Sequence, residues 1–146
     1  YREVSEEFIK LASYITPNET EASQLAGGNN EPEKQCLILK ERYGVDVILT
    51  VGENGAFYTQ DDKVIHCAGF PAEPVDTTGA GDCFNAALAV MLAEKKELGA
   101  AISIANLSAS RSVEVDGVLE SLPYRSEIDE QMNRLKGAHF EKKQNS

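Results

Sequence analysis

An α/β fold with a mostly parallel sheet, a β-hairpin and flanking helices is predicted by three features of the sequence. A helix-patterned segment from Pro32 to about Tyr43 is closed by Gly44 and runs straight into Val45–Val51, a nearly continuous apolar stretch. Such a stretch is a strand buried on both faces, and helix, glycine, buried strand is half of a parallel α/β unit. Polar, glycine-bearing or acidic turns at Asn18–Glu21, Thr50–Gly55 and Asp76–Asp82 fall where an open α/β sheet gathers its ligands. Ala56–Thr59 and Lys63–Cys67, separated by Gln60-Asp61-Asp62, read as a hairpin.

The elements follow in order. Ser5 is placed to cap a short amphipathic helix carrying Phe8, Ile9 and Leu11. Ser13–Thr16 is a short strand stopped by Pro17, which cannot continue a ladder. Asn18–Glu21 opens a helix that ends at Gly27-Gly28, and Asn29-Asn30-Glu31-Pro32 is a turn with proline in the next helix's first turn. After the two-proline loop Gly69–Pro74 comes Val75–Asn85, leading into the apolar, helix-like run Ala86–Ala93. A second helix, about Leu98 to Ser112, is rich in alanine and serine, small residues that suit close packing or leave room beside a flat ligand. A last helix is expected near Ser126–Leu135, and the polar tail Glu141–Ser146 is expected to fray. There is no repeat, low-complexity segment or linker, so a single domain over residues 1–146 is expected.

Composition narrows the function classes. With 42% hydrophobic and 26% charged residues the chain has a globular composition, and 146 residues suffice for a core. No apolar run approaches the roughly 20 residues of a membrane span. The net charge of -10 argues against nucleic acid or an anionic membrane as partner, though not against a small anion held by amides, a metal or local cations. Cys36, Cys67 and Cys83 lack metal-ligand spacing and read as free, mostly buried thiols of a reducing compartment, hence a cytoplasmic location.

The stretch Asp76-Thr77-Thr78-Gly79-Ala80-Gly81-Asp82 holds a flexible Gly-Ala-Gly turn between two carboxylates, ahead of a helix. Glycines allow close backbone approach, and a helix start offers unpaired N–H groups at the positive end of its dipole: a cradle for phosphate or a developing anion. The same residues also fit an ordinary turn with Asp82 as a first-turn acid. Likewise Asn18, Thr20, Glu19 and Glu21 fit a helix cap as well as a phosphate or metal role. The dinucleotide fingerprint fails because Phe84 stands where its third glycine is needed, and no GK[ST] run makes a P-loop. His66 and His139 have no nucleophile elbow to serve and read as surface residues.

Together these motifs resemble the ribokinase-like (PfkB) carbohydrate kinases. Asp76-Thr77-Thr78-Gly79-Ala80-Gly81-Asp82-Cys83-Phe84 matches that family's second signature, Asn18-Glu19-Thr20-Glu21 its Asn-x-x-Glu motif, and Thr50–Gly55 its nucleotide-binding turn. The resemblance covers nearly the whole chain, is strongest to ribose-phosphorylating members, and is shared in large part by fructokinase-type and nucleoside-kinase-type relatives. It implies a Rossmann-like ribokinase fold and ATP-dependent phosphoryl transfer to a sugar's primary hydroxyl. By the resemblance, Asp82 is the base that takes the hydroxyl proton, and the amides of Gly79, Ala80 and Gly81 form the anion hole. Asn18 and Glu21 would organise phosphates and Mg²⁺, Thr50 and Gly52 would contact ATP, and Asn106 would lie beside the base. A K⁺ ion is implied at Asp76, the carbonyls of Thr78, Ser112, Val115 and Gly117, and the Ser121 side chain, an oxygen set that suits a hard cation. Glu114 and Asp116 depart from the family pattern in that loop.

The family's sugar-binding N-terminal half has no counterpart here. The chain is therefore expected to be the ATP-side, C-terminal portion of such a kinase: inactive alone, nucleotide-binding at most, and self-associating as a homo-oligomer through the sheet edge and apolar face left uncovered.

Overall fold

The computed structural model of the protein describes residues 5–28 and 31–144, with side chains described as far as Leu135. The turn expected at Asn29-Asn30, the side chain of His139 and the last tail residues lie outside the described residues. The chain forms two compact units, Tyr1–Phe70 and Pro71–Ser146.

The first unit is built on a four-stranded sheet. Helix α1 (Glu6–Ile9) is capped by the Ser5 hydroxyl, which accepts from the Phe8 amide. Strand β1 (Tyr14–Ile15), helix α2 (Glu19–Ala26) and helix α3 (Pro32–Tyr43) lead to strand β2 (Asp46–Thr50). Gly44 ends α3 in the left-handed conformation, φ +70°, as the sequence requires. Strands β3 (Ala56–Gln60) and β4 (Lys63–Cys67) complete the order β1-β2-β3-β4. β1 and β2 pair in parallel, whereas β2–β3 and β3–β4 are antiparallel. The sheet is thus mixed where a mostly parallel one was expected. The reason is connection length: two helices separate β1 from β2, enough for a parallel crossover, but the links between β2, β3 and β4 permit only hairpins. At the β3–β4 turn Asp61 and Asp62 both have positive φ, +48° and +60°, which a two-residue loop needs to match strand twist.

Period-2 alternation sends Val47, Leu49 and Val51 to one face, where they pack with Ala22, Cys36, Leu39 and Tyr43 from α2 and α3. Ile48, pointing the other way, is also fully buried, so both faces of β2 are covered as the apolar run implied. Burying one such leucine or isoleucine contributes about 1.5–3 kcal/mol. The sheet margin is fixed by a polar chain: Lys40 Nζ donates to Asp46 Oδ1 at 2.9 Å, the Thr59 hydroxyl donates to the same oxygen at 2.9 Å and accepts from the Val47 amide.

The second unit is helical. Helix α4 (Ala80–Ala93) begins inside the glycine-bearing motif, six residues ahead of the apolar run. A left-handed Lys95, φ +59°, then turns the chain into α5 (Leu98–Ser112), whose first amides, Gly99 and Ala100, donate to the Glu97 carboxylate. The small residues of α5 serve packing. Ala101 and Ala105 are fully buried, and α4 presents Cys83, Phe84, Leu88 and Met91 to the interior. Ser108 and Ser112 return their hydroxyls to the carbonyls of Ile104 and Ala109 in their own helix. Helix α6 (Arg125–Gln144) is longer than expected and reaches into the tail predicted to fray. Beyond Leu135 the sequence offers no apolar period that would have announced it. Ile128 is its buried anchor. No helix among the described residues is long and apolar enough to cross a membrane.

Candidate active site

In the first unit the polar residues collect at one end of the sheet. An isolated parallel bridge joins Asn18 to Thr50, and the Thr50 amide donates to the Pro17 carbonyl at 3.0 Å. Residues following β1 and ending β2 therefore stand side by side at the carboxyl end of a parallel pair, the position at which α/β sheets bind ligands. Asn18 also caps α2. Its Oδ1 accepts from the Glu21 amide at 2.9 Å, and Glu21 Oε2 accepts from the Asn18 amide at 3.0 Å. This reciprocal capping box holds both side chains at the surface in fixed orientation. The cap and the ligand role are compatible, since a capped helix start still carries exposed oxygens and a positive dipole end.

After Thr50 the chain makes a single 3-10 turn, Gly52–Asn54. Gly55, φ +92° and ψ -124°, closes it by accepting from the Val51 amide at 2.9 Å and donating to the Gly52 carbonyl at 3.1 Å. A Cβ at Gly55 would meet the Cys67 carbonyl at 2.2 Å, and one at Gly69 would meet the Glu53 carbonyl at 2.2 Å. Backbone thus packs on backbone around the turn. His66 supports it from the hairpin, its Nε2 bonding the Asn54 carbonyl at 2.8 Å while its ring stacks on Phe57 at 4.5 Å. This exposed histidine, read as an ordinary surface residue, is a brace for the turn.

The second unit holds the other motif. Gly79 is the α4 N-cap with φ +82°. The Ala80 amide reaches back to the Thr77 carbonyl at 3.3 Å and the Cys83 amide to the Gly79 carbonyl at 2.9 Å. Among the described residues the amides of Gly79, Gly81 and Asp82 take no acceptor, as the first turn of a helix requires. The expected set was Gly79, Ala80 and Gly81, so the Ala80 amide is the one engaged in the turn and the Asp82 amide is one the motif alone did not suggest. The Asp82 carboxylate is exposed in this same turn.

Asp76 is the organiser of that turn. Its Oδ1 accepts from the Thr78 amide at 2.9 Å. The amide and hydroxyl of Thr78, with the amide of Gly117, hold its carboxyl below the usual carboxylate range. Asp76, Thr78 and Gly117 are therefore brought together, with the amide of Gly117 facing the acid. Ser112 is buried at the end of α5, where its hydroxyl draws down a Cys83 thiol that burial pushes up. Ser121 is buried too, its hydroxyl donating to the Val118 carbonyl at 3.0 Å, and Val115 is exposed in the same loop. Asn106 is buried within α5 at 6% exposure.

Among the described residues no group of three or more His, Cys, Asp or Glu could hold a metal ion. A hard cation held by one carboxylate, carbonyls and water needs no such group, and the Asp76 loop offers oxygen donors only. Among the described residues no cysteine is in a disulfide; Cys36 and Cys83 are buried, and burial pushes the Cys36 thiol up to about 12, so these two are packing residues.

Comparison with known proteins identifies the family to which the chain belongs. A profile of the pfkB family of carbohydrate kinases matches residues 1–125. A ribokinase of Bacillus subtilis is 43% identical over 129 residues, which are 88% of this chain and 42% of that protein. The crystal structure of a ribokinase from Thermotoga maritima superposes with a TM-score of 0.83 at 32% identity, over 89% of this chain and 45% of that one. An Arabidopsis thaliana ribokinase, solved with ribose and ATP, superposes with a TM-score of 0.79 at 32% identity, over 86% of this chain and 42% of that one. The chain thus spans less than half the length of the relatives it matches, and within that span it is a member of the pfkB family of carbohydrate kinases.

Proposed function

We propose that this chain is the ATP-side portion of a kinase that transfers the γ-phosphoryl group of ATP to the primary hydroxyl of a sugar, with ribose as the expected acceptor. The observation that carries the proposal is the start of α4, where unpaired amides and the Asp82 carboxylate share one turn set by Gly79. Phosphoryl transfer asks a protein for this pairing. The amides stabilise charge that grows on the phosphoryl oxygens, and a carboxylate at the same place accepts the proton of the attacking hydroxyl.

The other residues take supporting roles. Thr50, Gly52, Asn18 and Asn106 would contact the nucleotide, Glu21 would hold Mg²⁺ through water, and Asp76, the carbonyls of Thr78, Ser112, Val115 and Gly117, and the Ser121 side chain would hold K⁺. Such cations neutralise phosphate charge and lend the helix start a fixed positive field. The residues' own contribution is orientation: the Asn18–Glu21 box fixes the carboxylate, and Asp76 fixes the Thr78 amide and hence the helix start. A cytoplasmic location and self-association belong to the same proposal.

The chain can be tested in a chimaera that supplies the sugar-binding half of the B. subtilis ribokinase. Ribose-dependent ADP release is expected, and Asp82→Asn is expected to lower it by about 10²–10⁴-fold, the usual worth of a positioned base. Near-normal turnover of D82N would remove Asp82 from the mechanism. A second reading, a nucleotide-binding module without transfer, needs only the free amides of Gly79, Gly81 and Asp82, which would bind phosphate whether or not Asp82 acts as a base. Calorimetric MgATP binding without ribose-dependent release in the chimaera would select it.

A further inference from the structure

We propose that Arg111 and Glu114 are positioning residues for the Asp76–Asp82 turn, forming a latch that sets where the acid and the free amides stand. The segment 71–76, which carries Asp76, has no regular secondary structure of its own. Four hydrogen bonds fasten it to the end of α5 and the residues just after it. Arg111 Nη2 donates to the Pro71 carbonyl at 3.3 Å, the Glu73 amide donates to Glu114 Oε1 at 3.4 Å, and the Val75 and Asp76 amides both donate to the Val113 carbonyl, at 2.7 and 3.1 Å. Two of the four come from the Arg111 and Glu114 side chains. Those side chains are locked together, Arg111 Nη1 to Glu114 Oε2 at 2.7 Å, and each is about 30% exposed, at 30% and 29%.

The other two bonds converge on one carbonyl, that of Val113, which lies between the latch residues in sequence. Whatever holds the backbone at 111–114 therefore holds Asp76 as well. From Asp76 the constraint passes to the Thr78 amide and so to Gly79, whose left-handed conformation starts α4. Arg111 also keeps its Nε buried without a partner, so the guanidinium is fixed by its two terminal contacts. An exposed ion pair alone would contribute little. The latch acts because each partner also holds backbone of the 71–76 segment.

This inference rests on the proposed function only for the claim that the turn binds phosphate, and its test reads the two separately. Amide hydrogen exchange is measured on the chain as it stands for wild type, Glu114→Gln, and the exchanged pair Arg111→Glu with Glu114→Arg, with the Leu88 and Ala105 amides, in the helices of the same unit, as the reference for an intact fold. MgADP affinity is measured calorimetrically on the same samples. In E114Q the Glu73, Val75 and Asp76 amides are expected to exchange at least tenfold faster while the reference amides do not change, and MgADP is expected to bind several-fold more weakly. The exchanged pair restores the ion pair but not its bonds to Pro71 and Glu73, so fast exchange at 73–76 should persist. Unchanged exchange at these amides in E114Q, or full recovery in the exchanged pair, would overturn the latch. Absence of MgADP binding to wild type would count against the nucleotide reading while the exchange data still decide the latch.

Discussion

The two glycine-bearing turns of this molecule are held by opposite means. Around Gly52–Gly55 the constraint is backbone against backbone, with Gly55 and Gly69 each lying where a Cβ would sit 2.2 Å from a carbonyl oxygen. Around Thr77–Gly81 it is side chains that hold the backbone: Asp76 on the Thr78 amide, and Val118 covering Gly79, whose added Cβ would meet Val118 Cγ1 at 2.9 Å. A turn packed main chain on main chain is intolerant of any added atom, and His66 braces this one from outside through the Asn54 carbonyl. A turn held by a carboxylate and a valine can shift, and it responds to protonation and to whatever binds the acid. The second kind suits a site where negative charge must arrive, develop and leave.

The contrast is broken most forcefully at the first turn. Gly55→Ala or Gly69→Ala must displace backbone, and at Gly55 must also force a φ of +92° on a residue with a side chain. Overpacking and strained backbone together are expected to cost about 3 kcal/mol or more. Denaturant unfolding checks this, and a midpoint within error of wild type would show that the strand ends can yield. Gly79→Ala is expected to cost less, about 1–2 kcal/mol for the left-handed backbone, because its nearest neighbour is a valine methyl that can move. Pairing it with Val118→Ala should ease only the steric part. If G79A proves as costly as G55A, the second turn is as rigid as the first. A smaller effect belongs to Asn18→Ala, which removes one arm of the capping box at about 1 kcal/mol, whereas Asn18→Asp should be nearly neutral for stability. Equal losses in both variants would mean that the amide group acts through something other than the cap.

How much of this was legible in the sequence follows from what kind of constraint each part obeys. Helix α3, Gly44 and strand β2 were readable because local rules settle them: a period, a left-handed glycine and an apolar run. The mixed sheet was harder to see, since pairing direction depends on how the strands are connected and not on the residues of any one strand. The start of α4 is announced by Asp82 as a first-turn acid behind a glycine-bearing turn, not by hydrophobic pattern, because Ala80, Gly81 and Asp82 carry no apolar period. The motif residues Asp76, Thr78 and Gly79–Asp82 stand out as a run, yet the sequence could not say which amides are free, because the Ala80 amide finds Thr77 only in three dimensions. Arg111 and Glu114 offered one signal, an acid and a base three apart at a helix end. Nothing local indicated that they reach Pro71 and Glu73, some forty residues away in the chain.

The gentlest prediction separates the two turns by pH. The Asp76 carboxyl is held below its ordinary range by the amide and hydroxyl of Thr78 and the amide of Gly117. An acid whose folded value lies below its unfolded one, near 4, contributes stability that is complete above the unfolded value and fades as pH falls through the lowered folded value. Protection of the Thr78 amide, corrected for intrinsic exchange, should therefore be level from about pH 5 to 8 and decline below about pH 4. Asp76→Asn should flatten that decline and start from weaker protection, because a neutral amide oxygen is the poorer acceptor. The Gly55 amide, bonded to the Gly52 carbonyl, should be insensitive over the same range until the unit as a whole loosens. A parallel decline of both amides would mean that acid unfolds the chain globally, and that Asp76 is not what holds the second turn. A decline at Thr78 alone would place the charge sensitivity of the molecule in the turn that also carries Asp82.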